Sequence, residues 1–185
     1  MIHIDSECLT LDQNELIARM MCTDTDTVLS LSGKAEQEIK AVAGCGYSFA
    51  KTNVKIDGDT VTLGFGSFKS RGLASFLKEY SKAYVVAVTL GHGVDRLLRQ
   101  KSVISTIEQF STDAVASTLA ESLCDHVQGL LPEKTGRRFS PGYSDLPLSV
   151  QEPLLRFLGD TDITLTETGL MIPSKSVTFI AGVKE

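Results

Sequence analysis

Arg137-Arg138-Phe139-Ser140-Pro141-Gly142-Tyr143-Ser144-Asp145-Leu146-Pro147 interrupts a helical pattern and carries two of the chain's five prolines. Pro141 fixes its own φ and pushes Ser140 toward extended backbone. Pro141-Gly142 suits the two central positions of a type II turn, whose second position needs the positive φ that glycine takes without strain. The segment is expected to run extended through its arginines, turn tightly, and leave on an aromatic residue. Taken alone, it is a proline-containing loop that joins two elements.

Working outward, the segment follows a helical pattern from about Val103 to Leu131, as one helix or a broken one, with Ile107, Phe110, Val115, Leu119, Leu123, Val127 and Leu130 as its core stripe. The opposite side carries Ala114, Ser117, Glu121, Cys124 and Asp125, mostly small residues around an acid. After the segment come a helix over Ser149–Leu158, a short strand over Ile163–Thr166, an irregular stretch Glu167–Lys175, and a closing strand over Ser176–Ala181. Toward the amino terminus, Tyr84–Leu90 reads as a buried strand, and Val54–Leu63 alternates about Asp57-Gly58 as a hairpin. Gly64, Gly66 and Ser67–Ser70 are expected to turn, and Leu73–Tyr80 to form a helix.

Asp12 caps a helix that starts after it, with Glu15 as the reciprocal partner, and Thr23–Thr27 reads as a loop. Val28–Ala43 has helical spacing and ends at Gly44, and Met1–Asp5 adds a short strand. Strands, then helices, then strands predict a single α+β domain over residues 1–185, with a mostly antiparallel, twisted sheet.

The 185 residues, 42% of them hydrophobic, suffice for one substantial core. A net charge of −5 with no basic run among aromatics argues against a nucleic-acid partner. The apolar run Ala83–Leu90 is too short to span a membrane, and no leader pattern opens the chain, so a cytoplasmic protein is expected. Four scattered cysteines and three dispersed histidines form no disulfide framework and no metal pattern. Gly91-His92-Gly93 after a strand invites a dinucleotide fingerprint, but Arg96 stands where the third glycine belongs.

Two irregular segments taken together carry a resemblance. Arg138-Phe-Ser-Pro141-Gly142-Tyr143 with Pro147, then Leu165-Thr166-Glu167 through Met171-Ile-Pro173-Ser-Lys-Ser176-Val177, resemble the activation domain of cobalamin-dependent methionine synthase. Leu119-Ala120-Glu121 is similar to a family helix that carries a ligand-binding glutamate. The motif-bearing part covers about residues 115–185. The resemblance implies a free-standing reactivation subunit for a methyltransferase of methionine biosynthesis. Such a subunit binds S-adenosylmethionine and supports reductive methylation of cob(II)alamin on a partner.

That partner would be cobalamin-dependent methionine synthase or another corrinoid protein, with a flavodoxin-like electron donor. By position, Arg138 would hold the ligand carboxylate, and the backbone at Ser140 and Gly142 would meet the adenosyl part through exposed amides. Tyr143 would face the methyl group and the corrin, and Glu121 the cationic end. Glu167, Pro173 and Ser176 are expected in structural or supporting places. No residue is expected to act as a catalytic base.

The chemistry agrees with these roles. A guanidinium suits a carboxylate, and a sulfonium favours a carboxylate and an aromatic face. Two departures stand out: Leu148 follows Pro147 where the family has an aspartate, and the family's aspartate-tryptophan motif has no counterpart in a chain without tryptophan. They leave open a second reading, a module that docks on a corrinoid protein and no longer binds S-adenosylmethionine. An independent small-molecule methyltransferase is the weakest reading, because the usual glycine-rich pattern is missing.

Overall fold

The fold is built on β6 (Lys82–Thr89), whose run of valines and alanines is buried on both faces. Successive side chains of a strand point to opposite sides, so one apolar run can serve two cores. Tyr84, Val86 and Val88 join one core, and Ala83 and Val85 the other. In this computed structural model residues 1–21 and 25–184 are described, with the side chains of 25–29 left aside.

β6 is central in a four-stranded antiparallel sheet of order β1-β2-β6-β9, where β1 is Ile2–His3, β2 Gly46–Asn53 and β9 Ser176–Gly182. The register runs Tyr47↔Val88 on one side of β6 and Val88↔Val177 on the other.

One face is covered by helices α1 (Gln13–Met20), α2 (Thr25–Val42), α4 (His92–Ile104) and α5 (Thr106–Leu130). Leu16, Ile39, Val115, Leu119, Leu123 and Val127 pack there against Val86, Val88 and Phe179. Each fully buried aliphatic side chain in such a core contributes about 1.5–3 kcal/mol.

The other face is covered by α3 (Arg71–Leu77), α6 (Gln151–Leu158) and a small antiparallel sheet of β3 (Lys55–Asp57), β4 (Thr60–Leu63) and β5 (Gly66–Lys69). A two-stranded ribbon, β7 (Thr164–Leu165) with β8 (Met171–Ile172), completes the chain. The architecture is the expected α+β one, with every named strand pair antiparallel.

Several local expectations need correction. Asp12 caps α1 by accepting from the amides of Asn14 and Glu15, but Glu15 is engaged by Arg19 one turn on instead of reciprocating. Ser67–Ser70 is not a turn: Ser67–Lys69 lie in β5, which pairs with β4, while Phe68 packs on Phe65. The hairpin loop is Gly58-Asp59, one residue later than the Asp-Gly pair, because Asp57 pairs with Thr60 and Gly58 takes φ +56°.

Ile107, Phe110 and Leu130 are exposed, since the buried stretch of α5 runs only from Ser111 to Val127. Within that stretch the helix is buried on several sides, including Ala114 and Cys124 on the side read as open. Thr25–Thr27 belong to α2, and the rest of the expected Thr23–Thr27 loop lies outside the described residues. Among the described residues no helix is long and apolar enough to cross a membrane, and no group of three His, Cys, Asp or Glu could hold a metal.

Candidate functional site

The site region begins where α5 ends. Ser105 caps this helix, which then carries Glu121, Asp125 and Gln128 at spacings of four and three. Such spacing puts three polar side chains on one stripe. Arg138 comes back across that stripe: its Nη2 donates to Glu121 Oε2 at 3.1 Å, and its Nη1 donates to Asp125 Oδ1 and, at 3.4 Å, to Gln128 Oε1. The guanidinium also lies 5.6 Å from the centroid of the buried Phe179 ring. Burial works against the charge, but the bond Arg138 donates to Asp125 and the surrounding acids outweigh it and hold the Arg138 pKa above its ordinary value.

Sequence reasoning brought Arg138 and Glu121 to one ligand, the first at its carboxylate and the second near its positive charge. The structure brings them to each other, with Asp125 and Gln128 as partners that the reading missed. Their i, i+4, i+7 spacing was the available signal. Gln128 also donates to Thr135 Oγ1 and the Gly136 carbonyl, which fixes the start of the returning segment.

The segment then locks onto the sheet. Phe139 and Ile180 exchange both backbone hydrogen bonds, at 2.9 and 2.8 Å. Phe139 packs on Phe76 of α3 and, edge to face, on Tyr143, with centroids 5.1 and 5.4 Å apart. Tyr143 N–H donates to the Ser140 carbonyl across Pro141-Gly142, and Gly142 takes φ +86°. This is the expected type II turn.

Gly142 N–H donates to the Leu146 carbonyl at 2.8 Å. The amides of Gly142 and Tyr143 are thus both engaged within the loop, so neither offers its hydrogen to an adenine edge as the sequence reading expected. Tyr143 itself is 67% exposed. Asp145 ties the loop to α3: its carboxylate accepts from Ser70 Oγ at 2.5 Å and from the amides of Arg71 and Gly72 at 2.8 and 3.1 Å. The Ser70 bond comes first among the influences that lower its pKa.

The second irregular segment meets the first at Leu148. A Cβ on Gly142 would stand 3.3 Å from one methyl of Leu148, and a Cβ on Gly169 3.7 Å from the other. Leu148 fills by packing the place where an acid was looked for. Between Leu148–Glu152 and Leu165–Gly169 lies a groove of about 550 Å³. Glu167 is exposed at the tip of the Thr166–Gly169 turn and lines this groove, with no hydrogen bond or ion pair among the described residues.

Pro173 and Ser176 stand elsewhere, fastening the segment to the sheet. The Ser176 hydroxyl lies 2.6 Å from the Pro173 carbonyl and 2.8 Å from Thr89 Oγ1. Ser174 is bound by Asp95 of α4 through both its amide and its hydroxyl. Lys175 pairs with Asp113 of α5 at 2.8 Å. On the α3 side of the first segment a second groove, of about 410 Å³, runs between Phe76 and Tyr143 past both arginines.

Among solved structures, 13 chains match this fold. One, described as the crystal structure of the MetH reactivation domain bound to AdoHcy, matches with a TM-score of 0.68 at 14% sequence identity, covering 96% of this chain and 71% of that one. At that identity the likeness shows a shared fold. No family model and no curated protein matches the chain.

Proposed function

We propose that this chain binds S-adenosylmethionine and supports the reductive methylation of an oxidised corrinoid carried by a separate methyltransferase, most simply cobalamin-dependent methionine synthase. The observation that carries the reading is the type II turn at Pro141-Gly142. It joins the arginine segment to an exposed Tyr143 on a fold shared with a domain crystallised with AdoHcy. The residues present fit such a ligand. The groove beside Tyr143 falls within the roughly 300–1,000 Å³ typical of ligand sites, and it combines cationic and aromatic side chains.

In this reading Arg138 and Glu121 stand at the amino-acid end, Ser140 and Gly142 beside the adenosyl group, and Tyr143 toward the methyl group and the corrin. The partner's cobalt supplies the methyl acceptor, and a flavodoxin-like protein or another donor supplies the electron. This chain contributes binding and orientation, which by themselves lower the barrier to a transfer between two large molecules.

One observation favours a second reading, a docking module for a corrinoid protein without a cosubstrate. The Arg138 guanidinium already holds Glu121 and Asp125. A single experiment separates the two. The chain is mixed with S-adenosylmethionine, a reductant and a cob(II)alamin-bearing methionine synthase, and methylcobalamin is followed by absorbance. Formation that requires this chain supports the first reading. Complex formation with no binding of S-adenosylmethionine replaces it with the second.

A further inference from the structure

We infer that two copies of this chain pair through the corner between α4 and α5. Val103 and Ile104 in the last turn of α4, and Ile107 and Phe110 in the first turns of α5, are each more than half exposed, Val103 to 87%. They flank Ser105, which ends α4 and caps α5 through its hydroxyl, so one short stretch carries all four. The core does not use them, because the buried stretch of α5 begins at Ser111.

Side chains of this size at that exposure present roughly 400 Å² of apolar surface, within the range of the largest patch on a typical monomer. A standard interface buries about 800 Å² per partner, of which about 57% is apolar, or ~450 Å². The corner thus carries nearly the apolar area that one half of a small dimer needs. A two-fold axis lets the same patch serve as both halves.

Charge selects a second copy as the occupant. The chain carries a net charge of −5 and repels its own copy over much of its surface. Beside the patch the charges cancel: Lys101 is buried between Glu38 and Glu108 at 2.7 and 3.1 Å, and Lys34 reaches Glu38 at 4.0 Å. Two lysines and two glutamates form a neutral cluster next to apolar surface. It gives a charged partner nothing to pair with and a like chain nothing to repel.

Position points the same way. Ile107 stands about 27 Å along α5 from Asp125, the residue that holds Arg138. A protein bound at the Tyr143 turn leaves this corner uncovered.

Sedimentation velocity at loadings from about 1 to about 200 µM tests this, since an interface at the small end of the standard size is expected to dissociate in the micromolar range. The parent chain is expected to pass from monomer to dimer with no larger species. Ile107→Glu puts two carboxylates into a closed apolar interface and is expected to weaken the dimer at least about tenfold, with far-ultraviolet circular dichroism unchanged. Val103→Glu, at the more exposed position, is expected to do the same and guards against a local folding effect of the first.

A parent chain that stays monomeric throughout overturns the inference. So does a dimer that both variants form as well as the parent, since the contact is then elsewhere. If the parent is monomeric alone but binds a cob(II)alamin-bearing methionine synthase, and Ile107→Glu abolishes that complex, the patch belongs to the unlike partner and the inference fails.

Discussion

Arg138→Ala should destabilise the fold whether or not any ligand is present, because its guanidinium joins α5 to the sheet. Its two ion pairs involve Glu121, 37% exposed, and Asp125, 74% exposed. Pairs of that exposure give about 0.2–1 kcal/mol each. The contact over Phe179, made by a side chain only 23% exposed, adds about 0.5–2 kcal/mol. After removal, Glu121 and Asp125 can rehydrate, so no buried charge is stranded.

The net loss is therefore about 1–4 kcal/mol, which for a chain of this size lowers the melting temperature by roughly 2–4 °C per kcal/mol. Differential scanning calorimetry on the parent, Arg138→Ala, Glu121→Gln and the double variant reads both the total and the coupling. A nonzero coupling between the two sites is expected, since they touch. An unchanged melting temperature in Arg138→Ala, or strict additivity with Glu121→Gln, would refute the claim that this arginine is a structural pin.

Two further predictions concern the backbone and pH. Gly142→Ala puts a side chain at φ +86° and a Cβ 3.3 Å from Leu148, so it should cost about 1–3 kcal/mol. Gly129→Ala, in α5 with nothing within 4 Å of the new Cβ, should stabilise by about 0.5–1 kcal/mol. Urea denaturation of both variants checks the opposite signs. Tyr84 is buried and hydrogen-bonded to Glu133; burial first and that bond second push its pKa up to about 12. A raised pKa means stability fully present below the ordinary tyrosine value near pH 10 and lost as pH rises toward 12. Absorbance titration at alkaline pH should show one late tyrosine, and Glu133→Gln should move it earlier.

The hairpin and β6 were readable because their signals are local, whereas β2 (Gly46–Asn53) went unread and is a strand by its pairing with β6. The hairpin at Lys55–Leu63 alternates, and the β6 run is short, apolar and bounded by polar residues. The third strand of the small sheet was not readable. Gly66–Lys69 has turn-like composition and becomes a strand only by pairing with β4. The ends of α5 failed for a related reason. Ile107, Phe110 and Leu130 have the right character for a core, but the layers packed on this helix reach only from Ser111 to Val127.

The site shows the same division between type and placement. A motif with arginine, proline, glycine and tyrosine implies a guanidinium, a turn and a ring close together, and the chain supplies all three. Its spacing singles out Arg138 by position but gives no physical difference between two adjacent arginines. What separates them is the exchange of hydrogen bonds between Phe139 and Ile180, which sets the segment's register on the sheet, and the stripe Glu121, Asp125 and Gln128, which binds one guanidinium. The acids that make Arg138 look like part of a ligand site are the ones that occupy it.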